Sequence, residues 1–323
     1  MISPRLSKVV SGTRLTTDLI NSMIKRTEYA ADLLQQYKLI AGNQMYIEPH
    51  YDGTRVSYLQ PVGGGTTPTQ PISPAYRVVG QAVIDGVNLG FLYNGSTFTT
   101  FSMPGRSSTS ARGINESNIV GIANSGLNSR GFLYNGSTFT DIFVPGKTAT
   151  LAFGIDGSNI VGYHFTLSTF IYRGFLYNGS TFTDISVPGS TETYAFGIDG
   201  SNIVGQALIS GVYRGFLYNG STFTDIFVPG STLTAAHGID GSNIVGYYGF
   251  GSLGRSGFLY NGSTFTDIFV PGSTQTEAHG IKGSNIVGHA LIDGIRRGFL
   301  YNGSTFTDIF VPGSTQTLAF GIG

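Results

Sequence analysis

The sequence predicts a mainly β protein: a six-bladed β-propeller closed by its C-terminal strand and preceded by an N-terminal helix plus β-hairpin module. Three observations carry this. First, the motif Gly-Phe-Leu-Tyr-Asn-Gly-Ser-Thr-Phe-Thr recurs unchanged from Gly90, Gly131, Gly174, Gly215, Gly257 and Gly298, at intervals of 41, 43, 41, 42 and 41 residues. Second, each interval holds four short strand-like runs separated by turn residues, the content and spacing of a propeller blade. Third, the two ends of the repeat region are complementary. The first unit lacks its opening strand, and the chain ends on an unpaired copy of that strand, Thr317 to Ile322. Ring closure hides sheet edges that an open array would expose.

The repeat from Thr150 to Pro188 shows the pattern. Strand a runs from Thr150 to Ile155, strand b from Asn159 to Phe165, strand c from Arg173 to Tyr177 and strand d from Phe182 to Val187. Asp156-Gly157-Ser158 turns a into b. Asn178-Gly179 turns c into d as a short hairpin, since both residue types tolerate positive φ. Pro188-Gly189 suits a turn into the next strand a. Every copy also carries Ala-x-Gly-Ile in strand a and Val-Gly in strand b.

Composition agrees. Charged residues make up 11% of the 323, against 48 glycines, 23 Phe and 18 Tyr, and aromatic and β-branched residues suit a pleated surface. The 18 basic and 18 acidic residues balance, so the basic excess of a nucleic-acid-binding face is missing and no nucleic-acid partner is expected. With no cysteine, disulfides, thiolate metal sites and thiol nucleophiles are excluded. No apolar leader precedes residue 12 and no apolar run reaches spanning length, so neither a signal peptide nor membrane insertion is expected.

Residues 1–60 contain no repeat. Thr17 or Asp18 caps a helix expected to run to about Ile40, stopped by Gly42. Leu19, Met23, Ala30, Leu33 and Tyr37 form one apolar stripe, and Ile20, Ile24, Thr27, Ala31 and Leu34 a second. This pattern fits a helical bundle between copies of the chain, or packing on the hairpin Met45 to Leu59. Residues 61–75 are rich in Gly, Pro and Thr and read as a linker, leaving 76–323 for the propeller.

The four loops of a repeat divide between two ends. The a–b and c–d turns are nearly invariant between copies. The b–c and d–a connections differ, and so do two strand positions toward the same end. The residue inside Ala-x-Gly is Arg112, Phe153, Phe196, His237, His279 or Phe320; the residue after Val-Gly is Gln81, Ile122, Tyr163, Gln206, Tyr247 or His289. Copies otherwise almost identical thus differ where a ligand surface would lie. Tyr163, Tyr247, His289, Phe153, Phe196, His237, His279 and Arg296 are the candidate ligand-binding residues, with aromatic rings as stacking platforms. Plain loop drift explains the same variation.

Other motifs carry less. Asn94-Gly95-Ser96 and its copies match a glycosylation acceptor but read as turns. Asp156-Gly157-Ser158-Asn159 lacks the spaced acids of a calcium loop. His279 and His289 fall on one hairpin but have no evident third metal ligand. Asp141, Asp184, Asp225, Asp267 and Asp308 recur at one position and look structural, while Glu116, Glu192 and Glu277 are scattered. No nucleophile sits beside a base, so neither catalysis nor a cofactor is expected.

The segments Ala195-Phe196-Gly197-Ile198-Asp199, Asn202-Ile203-Val204-Gly205 and Gly215 to Gly220 resemble the HAF-type extracellular repeat family over residues 76–323. That resemblance implies a surface or secreted setting. The helix, the hairpin and the Gly-rich tether are similar to attachment segments of bacteriophage tail and fibre proteins. Together these imply a virion fibre or adhesin, joined to virion structural proteins through residues 1–60, forming a homo-oligomer such as a trimer, and binding host surface polysaccharide. A structural decoration protein and a secreted HAF-type binding protein are the alternatives.

Overall fold

The structure, a computed structural model, describes residues 76–125, 128–251 and 254–323. The expected N-terminal helix, hairpin and linker lie outside the described residues. Those described belong to the second of the two units into which the chain divides, Gln70–Gly323. They contain 24 strands.

Each repeat supplies strands a to d in order, joined antiparallel. In the repeat used above they are Ala149–Asp156, Asn159–Phe165, Arg173–Tyr177 and Phe182–Ile185. Strand d ends two residues early, at Ile185. The Val187 amide turns away to the Thr193 hydroxyl at 3.1 Å, and Ser190 N closes on Val187 O at 3.1 Å. The same threonine recurs, fully buried, at Thr150, Thr234, Thr276 and Thr317.

The c–d turn keeps its expected bounds but not the expected backbone of both its Asn and its Gly. Tyr177 pairs with Phe182, so the loop holds four residues. Only Gly179 takes positive φ, at 95°. Asn178 instead turns its Oδ1 inward to accept bonds from Ser180 N at 3.0 Å and Thr181 N at 2.9 Å, an Asx cap on the loop's own backbone.

The strands form four four-stranded sheets and one eight-stranded sheet. Six separate sheets were expected. The difference lies between residues 192 and 268, where two four-stranded sets join through one parallel pair, Tyr213 with Leu233. The end strands do pair: Gln316–Ile322 lies antiparallel on Val78–Ile84, and Arg77 and Gly323 exchange backbone bonds of 2.8 and 3.0 Å. The first sheet therefore takes its strand a from the end of the chain.

Cores sit between successive repeats. The Phe of each Gly-Phe-Leu-Tyr motif is at most 2% exposed. Phe216, for example, packs with Val161 and Ile185 of the preceding repeat. The ring is also sealed at its ends: Phe91 of the first repeat packs with Val287 and Ile309 of the last.

Two glycine positions set how close the strands come. A Cβ on Gly205 would lie 1.9 Å from the Tyr194 carbonyl of its own strand a; one on Gly197 would lie 2.5 Å from the His237 carbonyl of the next repeat. Inner strands therefore touch backbone to backbone around the axis. The Asp-Gly-Ser turns clamp the same neighbours, since Asp156, Asp199 and Asp240 accept from the amides of Gly200, Gly241 and Gly283 at 2.7 to 2.8 Å.

Gly205→Ala forces backbone apart and is expected to destabilise the protein by about 1–3 kcal/mol or more, read as a lower midpoint in chemical denaturation. An unchanged midpoint would show that strands a and b do not need this approach.

Candidate functional site

The site begins with a defect in strand a. In five repeats the a–b register shifts between the Ala and the Gly of Ala-x-Gly, as at Ala111/Gly113 and Ala278/Gly280. The closing strand shifts too, opposite Val79/Gly80. The residue between is extra and unpaired, a β-bulge, and bulges re-aim a side chain. Here they aim six side chains at the axis: Arg112, Phe153, Phe196, His237, His279 and Phe320 line one cavity of about 30 Å³.

These six form a closed circuit. The Arg112 guanidinium lies 3.9 Å from the Phe320 ring centre and 5.4 Å from that of Phe153. Phe153 meets Phe196 edge-on at 5.1 Å, and Phe196 stacks on His237 at 4.3 Å. His237 and His279 bring their Nδ1 atoms to 3.3 Å, and His279 meets Phe320 at 5.1 Å. In the Nδ1–Nδ1 contact between neutral rings one nitrogen donates and the other accepts. The accepting ring must then carry its proton on Nε2.

A second tier lies toward the variable end, where strand a residues pair with the residue after Val-Gly in strand b. On one side the tier is aromatic. Tyr163 lies 5.4 Å from Phe153 and 4.8 Å from Tyr194, and Tyr172 packs 5.2 Å from Tyr194. The Tyr194 and Tyr213 hydroxyls both donate to Glu192 Oε2, at 2.6 and 2.8 Å.

The other side is charged. Glu277 pairs across the strands with His289. Arg255 donates to Glu277 Oε1 at 2.8 Å and lies 4.7 Å from the Tyr247 ring centre. Arg296 Nη1 lies 2.8 Å from His289 Nε2, and His289 stacks on His279 at 5.0 Å.

Burial governs the titration here. It pushes the Arg112 guanidinium down to about 10, still charged at neutral pH, with Tyr163 acting in the opposite sense. It pushes the Tyr163 and Tyr247 hydroxyls up to about 12. His279 falls to about 3, through burial and then the fields of Arg112, Arg255 and Arg296. Burial likewise takes His237 and His289 well below 6.5. For Glu277 burial acts upward, but His289 and Arg255 outweigh it and hold the carboxyl below its ordinary range. His289 is neutral near pH 7, so the Arg255 pair is what keeps Glu277 ionised there.

All eight candidate residues come together in this cluster. Phe153, Phe196, His237 and His279 belong to the axial circuit; Tyr163, Tyr247, His289 and Arg296 belong to the tier above it. Sequence reasoning passed over Arg112, Tyr194, Arg255 and Glu277. The signal for Arg112 was its place in the Ala-x-Gly series. For Glu277 it was the spacing of two residues to His279, which puts both toward the axis. The His279/His289 pair does have a third residue of ligand type beside it, Glu277: its Oε2 lies 3.6 Å from each His Nε2, and the donor atoms of all three fall within 4.8 Å of one another.

The recurrent aspartates do have structural partners. Asp225 and Asp308 each take both ends of an arginine fork, from Arg214 and Arg297. Asp267 accepts from Tyr248, and Asp184 lies 2.9 Å from His164.

The variable end also carries exposed apolar side chains. Val87, Leu167, Phe170, Ile171, Phe250, Phe269 and Ile295 are the exposed large hydrophobics among the described residues, and each lies in or beside a b–c or d–a connection.

Several solved structures share the fold. A point mutant of the Aleuria aurantia lectin in complex with alpha-methyl-L-fucoside aligns at 15% identity and a TM-score of 0.50, over 74% of this chain and 92% of that one. The nidogen/laminin complex aligns at 11% and 0.51, over 77% and 97%. TolB from Acinetobacter baumannii aligns at 12% and 0.53, over 76% of this chain and 63% of that one. These likenesses establish an all-β propeller. No family model and no curated protein matches the chain.

The buried histidines give the protein an acid limit. Unfolded, each binds a proton near pH 6.5; folded, His279 does so only near 3. The unfolded chain therefore holds more protons below 6.5. The histidine contribution to stability is level above that pH and falls as pH drops from 6.5 toward 3, by up to about 1.4 kcal/mol per pH unit for each such histidine. His237→Phe installs the residue already present at Phe153, Phe196 and Phe320. It is expected to flatten the acid decline of thermal stability; an unchanged slope would show that folded His237 takes up the proton.

Proposed function

We propose that this propeller is a binding head for a cell-surface glycan, carried on a bacteriophage fibre or adhesin. The observation that carries the reading is convergence. Positions at which near-identical repeats differ meet in one aromatic and charged cluster on the axis, and the connections at one end of the strands hold the exposed apolar side chains. Apolar patches rimmed by polar groups mark interaction surfaces, and tyrosine faces suit the C–H faces of sugar rings. One propeller of this fold, the Aleuria aurantia lectin, is seen with alpha-methyl-L-fucoside, so the architecture accommodates a saccharide.

In this reading the eight-stranded sheet is two blades sharing one bridging pair, which makes the ring six-bladed. Its HAF-type repeats suit an extracellular setting. Residues 1–60 attach an oligomer of the chain to virion structural proteins, and the head binds host polysaccharide without catalysis. A decoration protein would share the layout but not the adsorption.

The test is binding of labelled full-length protein to host cells before and after surface polysaccharide is stripped. Saturable binding lost on stripping is expected. Tyr163→Ala, which removes an aromatic face from the tier, should weaken that binding by about tenfold or more. Binding that survives stripping overturns the glycan reading, and absent binding favours decoration.

A further inference from the structure

Arg112 is the least explained residue of the axial circuit. Its Nε is buried and makes no hydrogen bond, and no carboxylate among the described residues pairs with it; the rings of Phe320 and Phe153 face its charge, and Tyr163 lies near enough to act on it. Packing does not demand an arginine there, since phenylalanine fills the same bulge position in three repeats. Arg112 as a whole is half-buried, but its Nε is enclosed with no acceptor, so its charge stands in a poorly solvated place with no acid to offset it.

The surrounding charges lean the same way. Arg112, Arg255 and Arg296 all act on His279, whereas Glu277 is already bonded to Arg255 and Glu192 to two tyrosines. Arg296 has a neutral imidazole as its partner. Two guanidiniums thus lack an acid. The cavity of about 30 Å³ beside Arg112 has room for a group slightly larger than a water.

We infer that the glycan is acidic, and that a carboxylate of its sugar enters the axial cavity and accepts hydrogen bonds from the Arg112 guanidinium, with Arg296 supplying the second positive charge. The choice of a glycan rests on the proposed function; the anion site does not. The competing use of this region is a divalent cation on Glu277, His279 and His289, whose ligand atoms are suitably close. Arg296 already occupies the His289 nitrogen that such a cation needs, and a double positive charge would sit among three guanidiniums. The electrostatics favour the anion.

The experiment is calorimetric titration of the full-length protein, at constant ionic strength, with glucuronate, glucose, acetate and a zinc salt. Glucuronate is expected to bind at least about tenfold tighter than glucose, as a charge-assisted bond to a half-buried arginine implies. Acetate should bind weakly but saturably. Arg112→Met, which keeps the length and removes a charge, should abolish both the preference and the acetate site. Should that variant fail to fold, Arg296→Gln, at a half-buried residue of the tier above the cavity, must lower glucuronate affinity. Equal binding of glucose and glucuronate overturns the acidic inference and leaves glycan binding standing. Acetate binding with no sugar binding supports the anion site and removes the glycan. Binding of neither anion, or zinc binding lost in Glu277→Gln, overturns the anion site.

Discussion

The axial structure depends on backbone contact between neighbouring inner strands. The glycine of Ala-x-Gly lets one strand a rest on the carbonyl of the next, with Gly113 against Phe153 O, Gly154 against Phe196 O, and so on to Gly321 against Arg112 O. At that separation no regular strand can also present a side chain to the axis. The bulge resolves the conflict by expelling one residue per repeat from the ladder, so spacing and bulge together make an axial circuit of six side chains. What those side chains are is free to vary, because the contact that closes the ring is made by backbone and glycine alone.

That freedom separates scaffold from site. The scaffold positions repeat: the buried Phe, the Thr under each d–a turn and the Asp that clamps the next a–b turn. The axial positions run Arg, Phe, Phe, His, His, Phe, and the tier above them divides into a tyrosine side and an arginine side. A repeating frame thus carries an unrepeated cluster of side chains.

Most of the frame was legible because the repeat states each contact several times. The period, the strand limits in the repeat from Thr150 and the complementarity of the two chain ends all followed from pattern. The c–d turn was legible in its bounds but not in its geometry, since Asn-Gly suggests positive φ at both residues and only the following Ser and Thr show that the Asn side chain is occupied in capping. The merged sheet was not legible at all, because one parallel pair between Tyr213 and Leu233 leaves no periodic mark. The candidate site was legible as a set of variable positions but not as chemistry. Glu277 looked scattered until strand register placed it against His289, and Arg112 looked like one more variant until its lack of an acid partner became visible in three dimensions.

The pairing of Gln316–Ile322 with Val78–Ile84 has a consequence for biosynthesis. On a ribosome the first sheet emerges without its inner strand and waits for nearly the whole repeat region to follow. Meanwhile five other segments of almost the same sequence become available, each able to offer the same hydrogen-bonding pattern. What selects the right one is chain connectivity: each earlier copy of strand a is tied by a short turn to its own strand b and is captured locally first, leaving the last copy as the only one without a rival claim. Near-identical repeats therefore assemble in order by proximity, and a nascent chain that stalls before its final strand presents an open edge to any neighbouring copy on the same message.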